Sequence, residues 1–158
     1  MPAASPQAKV THHFHASATE VFDAWIDTES LGTWMFGPGV RDEEIVSLDL
    51  QARVGGTFSF VVRRQGELID HIGTYLALDR PTHLAFTWGV AQDEGATSRV
   101  SIDIIPLVEG CELTLTHELH PDWRDYIKPT ETAWKKMLYT LGRTFDDGSM
   151  GDEDSMDE

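Results

Sequence analysis

Between residues 45 and 119 the chain alternates apolar and polar side chains in a series of short segments, and only one long amphipathic segment follows them. That imbalance constrains the fold more than any motif does. Segment 57–64 sets Phe58, Phe60 and Val62 on one face, as a half-buried strand requires. Gln65-Gly66 is a tight turn into a long strand over 67–78, which Asp79-Arg80-Pro81 breaks because proline has no amide to give a ladder. Segment 83–89 groups Leu84, Phe86 and Trp88, and AQDEGAT reads as the loop after it. Segment 98–105 groups Val100, Ile102 and Ile104, and 106–110 turns into 112–119, where Leu113, Leu115 and His117 share a face. A strand at 45–50, stopped near Gly55-Gly56, precedes them all.

The chain opens differently. Val10, His12 and Phe14 alternate with Thr11, His13 and His15, a strand period. Ser17-Ala18-Thr19-Glu20 then reads as a capping box, in which the serine hydroxyl accepts from the glutamate amide and the glutamate carboxylate reaches back. Val21, Phe22, Trp25 and Ile26 follow at helical spacing. Thr28 is expected to cap a second short helix carrying Leu31, Trp34 and Met35, with Gly37-Pro38-Gly39 ending it. At the other end Pro121-Asp122 opens an irregular or short helical approach, and Pro129-Thr130 fits the start of a longer helix. Its apolar stripe is Trp134, Met137, Leu138, Leu141 and Phe145.

This order predicts an α+β fold: a curved seven-stranded antiparallel sheet around a long C-terminal helix, with two short helices after the first strand. Connections this short favour antiparallel neighbours. A sheet so apolar on one face must be covered, and a single helix covering a concave sheet is expected to leave a cavity. The organisation expected is a flexible N-terminus over 1–9, one domain over 10–145 and a disordered acidic tail over 146–158. The tail carries seven of the carboxylates and no lysine or arginine, leaving −8 of the total −15 on the rest, and cannot bury enough apolar surface to order itself.

An acidic body repels phosphate backbones, so nucleic acid is not expected as a partner. Membrane insertion is not expected either, since no apolar run approaches the roughly 20 residues of a span. MPAASPQAK has neither the charged start nor the apolar middle of a signal peptide. Cys111 is the only cysteine, which rules out an internal disulfide and a cysteine-built zinc site and suits a reducing cytoplasm.

The pieces FHASATEVFDAWIDTESLGTWM, VGGTFSF, GTYLALDRPTHLAFTW, LTLTHEL and AWKKML, in this order, resemble the activator of heat-shock protein 90 ATPase homologue (AHSA-type) family. That family lies within the SRPBCC (START/Bet v 1-like) superfamily, and the resemblance spans about residues 10–145. It implies the helix-grip fold, and it implies binding of lipids, polyketides or other apolar ligands, with cyclase or hydrolase activity in a few branches. The chaperone connection of the family implies a second role, a stress-response co-regulator. One departure bears on the cavity: relatives often have Gly-Trp in the last helix where this chain has Ala133-Trp134, and the extra methyl is expected to stand where that helix approaches the sheet.

Candidate sites follow from the alternation. His13 and His15 point one way from their strand and His12 the other, so fewer ligands converge than the three or four a zinc ion needs, and no metal site is expected. His117 continues the inward face of Leu113 and Leu115, where an imidazole needs a partner and its titration shifts. His71 and Tyr75 share a face whose side the sequence leaves open. The ligand-binding set expected is Trp34, Phe60, His71, Tyr75, Trp88, His117, Trp134 and Leu138, with Trp134 standing against ligand. No GxSxG, P-loop or GxGxxG is present. Asp70, Asp103 and Glu118 alternate with inward residues and are expected to face water, and Cys111 has no activating base beside it in sequence. The leading expectation is thus a binding protein for a small apolar or amphipathic molecule, as monomer or homodimer, with no cofactor and no catalytic residue. A chaperone partner is the second reading, and an enzyme using His117 the third.

Overall fold

In a computed structural model of the protein, the described residues are 6–36, 43–91, 93–119 and 121–150, of which 93–97, 121–122 and 146–150 are described by their backbone alone. The chain runs β1 (Gln7–Phe14), α1 (Ala18–Ala24), α2 (Thr28–Trp34), β2 (Glu44–Leu50), β3 (Thr57–Arg64), β4 (Glu67–Asp79), β5 (His83–Val90), β6 (Asp93–Pro106) and β7 (Cys111–Glu118). A 3-10 turn, Pro121–Tyr126, then leads into α3 (Ile127–Met150).

Seven strands form one antiparallel sheet in the order β1-β7-β6-β5-β4-β3-β2. Consecutive strands from β2 to β7 are joined by hairpins, because each turn is short and several carry glycine at positive φ, as at Gly66 and Gly110. β1 and β2 sit at opposite edges, so α1 and α2 must carry the chain from one edge to the other. α3 lies against β1 and α2.

α1 starts where the sequence places it. Ser17 Oγ accepts from the Glu20 amide at 3.1 Å, and Glu20 Oε1 accepts from the Ser17 amide at 3.1 Å. α2 differs in its cap: Asp27, not Thr28, is the N-cap, and its carboxylate accepts from the Ser30 hydroxyl instead of from a backbone amide. The indole of Trp34 donates to the Ala24 carbonyl at 3.1 Å and locks the two short helices together. Arg80, in the β4–β5 turn, clamps Asp23 of α1 through two nitrogens at 2.8 and 2.7 Å.

Two further differences concern boundaries. AQDEGAT is mostly strand, since β6 begins at Asp93 opposite Val90; backbone pairing carries a hairpin beyond the point where apolar alternation stops. Pro129 stands in the first turn of a helix that begins at Ile127, where its missing amide would have no intrahelical partner. Gly37-Pro38-Gly39 and residues 151–158 of the acidic tail lie outside the described residues.

The core fills the concave side of the sheet. Trp134, Met137, Leu138 and Leu141 of α3 are buried against Val10 and Phe14 of β1, the inward residues of β6 and β7, and Trp25 and Trp34. Among the described residues no helix is long and apolar enough to cross a membrane.

Candidate functional site

β5, β6 and β7 deliver Trp88, Ser98 and His117 to the same corner. Cross-strand register pairs Trp88 with Ser98 and Val100 with His117, and Ser98 shares the inward face of Val100 because strand side chains repeat every second residue. The β5–β6 register shifts between Trp88 and Val90, and such a bulge bends the strand locally. Leu119, the 3-10 turn and the start of α3 face this corner without closing it. A cleft of about 450 Å³ remains, lined by Trp88, Gly89, Val90, Ser98, His117, Leu119, Trp123, Tyr126 and Thr130.

Its base is a chain of directed hydrogen bonds. The indole Nε1–H of Trp134 donates to His117 Nδ1 at 3.1 Å. An indole nitrogen only donates, so Nδ1 is the unprotonated ring nitrogen and Nε2 carries the hydrogen. Nε2–H therefore donates to Ser98 Oγ at 2.7 Å, and the serine hydroxyl donates onward to the Trp88 carbonyl at 2.9 Å. Burial lowers the His117 pKa to about 4, so the ring is neutral across the ordinary range. Every proton in this chain points away from the role a serine nucleophile would need. A general base must accept from the hydroxyl, whereas His117 donates to it.

Behind this base the described aromatic side chains pack closely together. A void of only about 10 Å³ lies among Trp25, Leu31, Met35, Phe58, Phe60, Tyr75, Phe86 and Trp88, roughly the space one water requires. The Trp25 indole nitrogen is buried and has no hydrogen-bond partner among the described residues.

Of the eight ligand-binding residues expected from the sequence, Trp88 and His117 line the cleft. Trp134 stands one hydrogen bond behind it, packed on Trp25 and Trp88 at ring separations of 5.9 and 6.2 Å. Trp34 and Leu138 are fully buried core, and Phe60 and Tyr75 are buried around the small void. His71 and Tyr75 both face inward. The imidazole of His71 stacks on Trp88 at 5.4 Å, and its Nδ1–H donates to the Phe60 carbonyl at 3.1 Å. It braces the cleft wall from behind. Burial drives the Tyr75 phenol well above its usual pKa.

Gly89, Val90, Ser98, Leu119, Trp123, Tyr126 and Thr130 also line this cleft and are not among the residues singled out from the sequence. Ser98 was within reach: it is the polar member of the series 98, 100, 102, 104, the same signal that singled out His117. Trp123 and Tyr126 sit in an irregular turn with no period to read.

The other candidates resolve simply. His13 and His15 pair edge-to-face at 5.0 Å, while His12 packs on Phe14 from the other side of the strand. No group of three or more metal-binding side chains converges among the described residues. Asp103 accepts from His83 at 2.9 Å, and Glu118 accepts from Arg99 at 2.8 Å, both at the surface. Asp70 is half-buried and accepts from the Ser59 hydroxyl at 2.6 Å. Cys111 is buried and its thiol pKa is raised by that burial, which makes it a poor nucleophile.

The family described as activator of Hsp90 ATPase homolog 1-like protein matches residues 15–146. No curated protein sequence matches the chain. Among solved structures, a Rhodobacter sphaeroides protein superposes with a TM-score of 0.77 at 18% identity, covering 92% of this chain and 96% of that one. A Nitrosomonas europaea protein superposes with a TM-score of 0.76 at 17% identity over 94% and 99% of the two chains. A Chromobacterium violaceum protein gives 0.74 at 22% identity over 88% and 96%. At these identities the likeness is one of fold.

Proposed function

The chain belongs to the activator of Hsp90 ATPase homolog 1-like family, and from that premise we propose that it binds a small amphipathic molecule in the cleft at the open corner of the grip. The observation that carries this reading is a cleft of about 450 Å³ with Trp88, Trp123 and Tyr126 on its walls and a buried Ser98–His117 pair at its base. Apolar walls with a few placed polar groups are what small-molecule sites have in common, and the volume lies within their usual range of roughly 300–1,000 Å³. The aromatic faces supply area, and the polar base supplies orientation. No step of catalysis is assigned, because the proton order at the base leaves Ser98 without a general base.

The site expected between sheet and helix thus moves outward in this proposal. Trp88 and His117 remain ligand contacts, Trp134 and His71 hold them in place, and Trp34, Phe60, Tyr75 and Leu138 serve the core. Native mass spectrometry of freshly purified protein tests the reading, together with uptake of an apolar fluorescent probe by the wild type and by Trp123→Ala. A bound small molecule or probe that Trp123→Ala releases is the expected result. Absence of uptake by the wild type at any probe concentration overturns it.

A further inference from the structure

We infer that the ligand of this cleft is a neutral molecule presenting a hydroxyl, an alcohol or phenol, which donates to Ser98 Oγ, and that the cleft discriminates against carboxylates of the same shape. The inference rests on the cleft being a ligand site and goes further, to the sign of the polar group it takes.

A serine hydroxyl has one hydrogen to give and two lone pairs to accept with. The hydrogen of Ser98 is spent on the Trp88 carbonyl, and one lone pair is spent on His117 Nε2–H. His117 has nothing left, since Nδ1 already accepts from Trp134 and Nε2–H already donates. The buried base of the cleft therefore offers one unused function, the second lone pair of Ser98, and that function is an acceptor. It takes a donor. A carboxylate oxygen set against it meets lone pair with lone pair.

Charge argues the same way. Among the described residues that line the cleft none is a lysine or arginine, and the one titratable base, His117, is held neutral by burial. A carboxylate entering would lose hydration with no cation to replace it, and burying an unpaired charge is costly. Tyr126 and Thr130 add hydroxyls to the lining, but Tyr126 is exposed and Thr130 only half-buried, so neither hydroxyl is a desolvated donor. Trp88, Trp123 and Tyr126 favour a flat or ring-bearing body behind the hydroxyl.

Three compounds of one shape test this: a naphthol, the matching naphthoate and naphthalene itself, titrated calorimetrically into the full-length protein near neutral pH. The naphthol is expected to bind about fivefold to tenfold tighter than naphthalene, the fold-change one net hydrogen bond supplies, and the naphthoate at least tenfold weaker than the naphthol. Ser98→Ala should erase the naphthol's advantage over naphthalene, and Ser98→Thr, which restores an acceptor oxygen, should recover it. Should Ser98→Ala fail to fold, the three-compound series on wild type decides alone. Naphthoate binding as tightly as naphthol, or naphthol no tighter than naphthalene, overturns the inference and leaves the cleft a ligand site. Binding of none of the three overturns the ligand site itself, and the inference with it.

Discussion

Trp134 on the last helix donates its indole hydrogen to His117 on the last strand at 3.1 Å, and this single bond determines which nitrogen of the imidazole keeps a proton. From it follow the orientation of Ser98 and the acceptor character of the cleft floor. The two residues come from different elements, and the contact exists only because α3 crosses the sheet at this point.

Trp134 should therefore behave as packed core. Trp134→Ala is expected to cost about 3–5 kcal/mol, as for other buried aromatics truncated to alanine. Trp134→Phe retains most of the ring packing but leaves Nδ1 of a buried imidazole without its donor, at about 1–3 kcal/mol. Urea denaturation followed by circular dichroism measures both. A loss near zero for Trp134→Ala would mean that this side chain stands beside hollow space.

Stability should fall with acid through His117. Its folded pKa of about 4 lies below the ordinary 6.5, so between those values the unfolded chain binds more protons than the folded one. Stability then rises with pH across that window, is complete above 6.5 and is lost below about 4, for up to about 3 kcal/mol in all. His12 contributes in the same direction, its pKa being lowered by burial and by His13. The His117 share is isolated by difference: His117→Gln should flatten the dependence of the urea midpoint on pH in this window. An unchanged slope would show that the imidazole is not held neutral.

The first helix depends on its cap. Ser17→Ala removes the acceptor of the Glu20 amide, and about 1 kcal/mol of stability should go with it. Glu20→Gln can still reach the Ser17 amide through its side-chain oxygen, so it should cost less. Equal losses from the two substitutions would count against the reciprocal bonding.

Gly73 in β4 should tolerate no side chain. A Cβ there would collide with the Thr87 carbonyl and with the ring of Phe58, a core residue stacked on Phe60. Gly73→Ala is expected to destabilise by about 1–3 kcal/mol, the usual cost of overpacking, and to shift the aromatic ring-current resonances of Phe58 and Phe60. A thermally neutral variant with an unshifted spectrum would refute the close approach.

Local chemistry was legible in the sequence. Ser17 and Glu20 formed the box their spacing foretold, and the alternation in β3, β6 and β7 put Phe58, Val100 and Leu113 inward. The reason is that side-chain periodicity and helix capping are decided within a few residues of chain. His117 was legible too, as the polar end of an apolar series. The sequence could not show that Ser98 would meet it, because that contact needs the β6–β7 register, which is set by the hairpin at Gly110 and by burial of whole faces. Nor could it decide between a hollow grip and a filled one. That depends on how α3 and the Trp25–Trp34 pair share the concave volume, a three-dimensional packing result that no period along the chain encodes. The sequence determined the elements and their apolar faces. Tertiary structure alone decided that the described aromatic side chains behind His117 pack closely, that a corner stays open beside Trp88, and that the proton of His117 points at Ser98, because each is fixed by contacts between segments far apart in the chain.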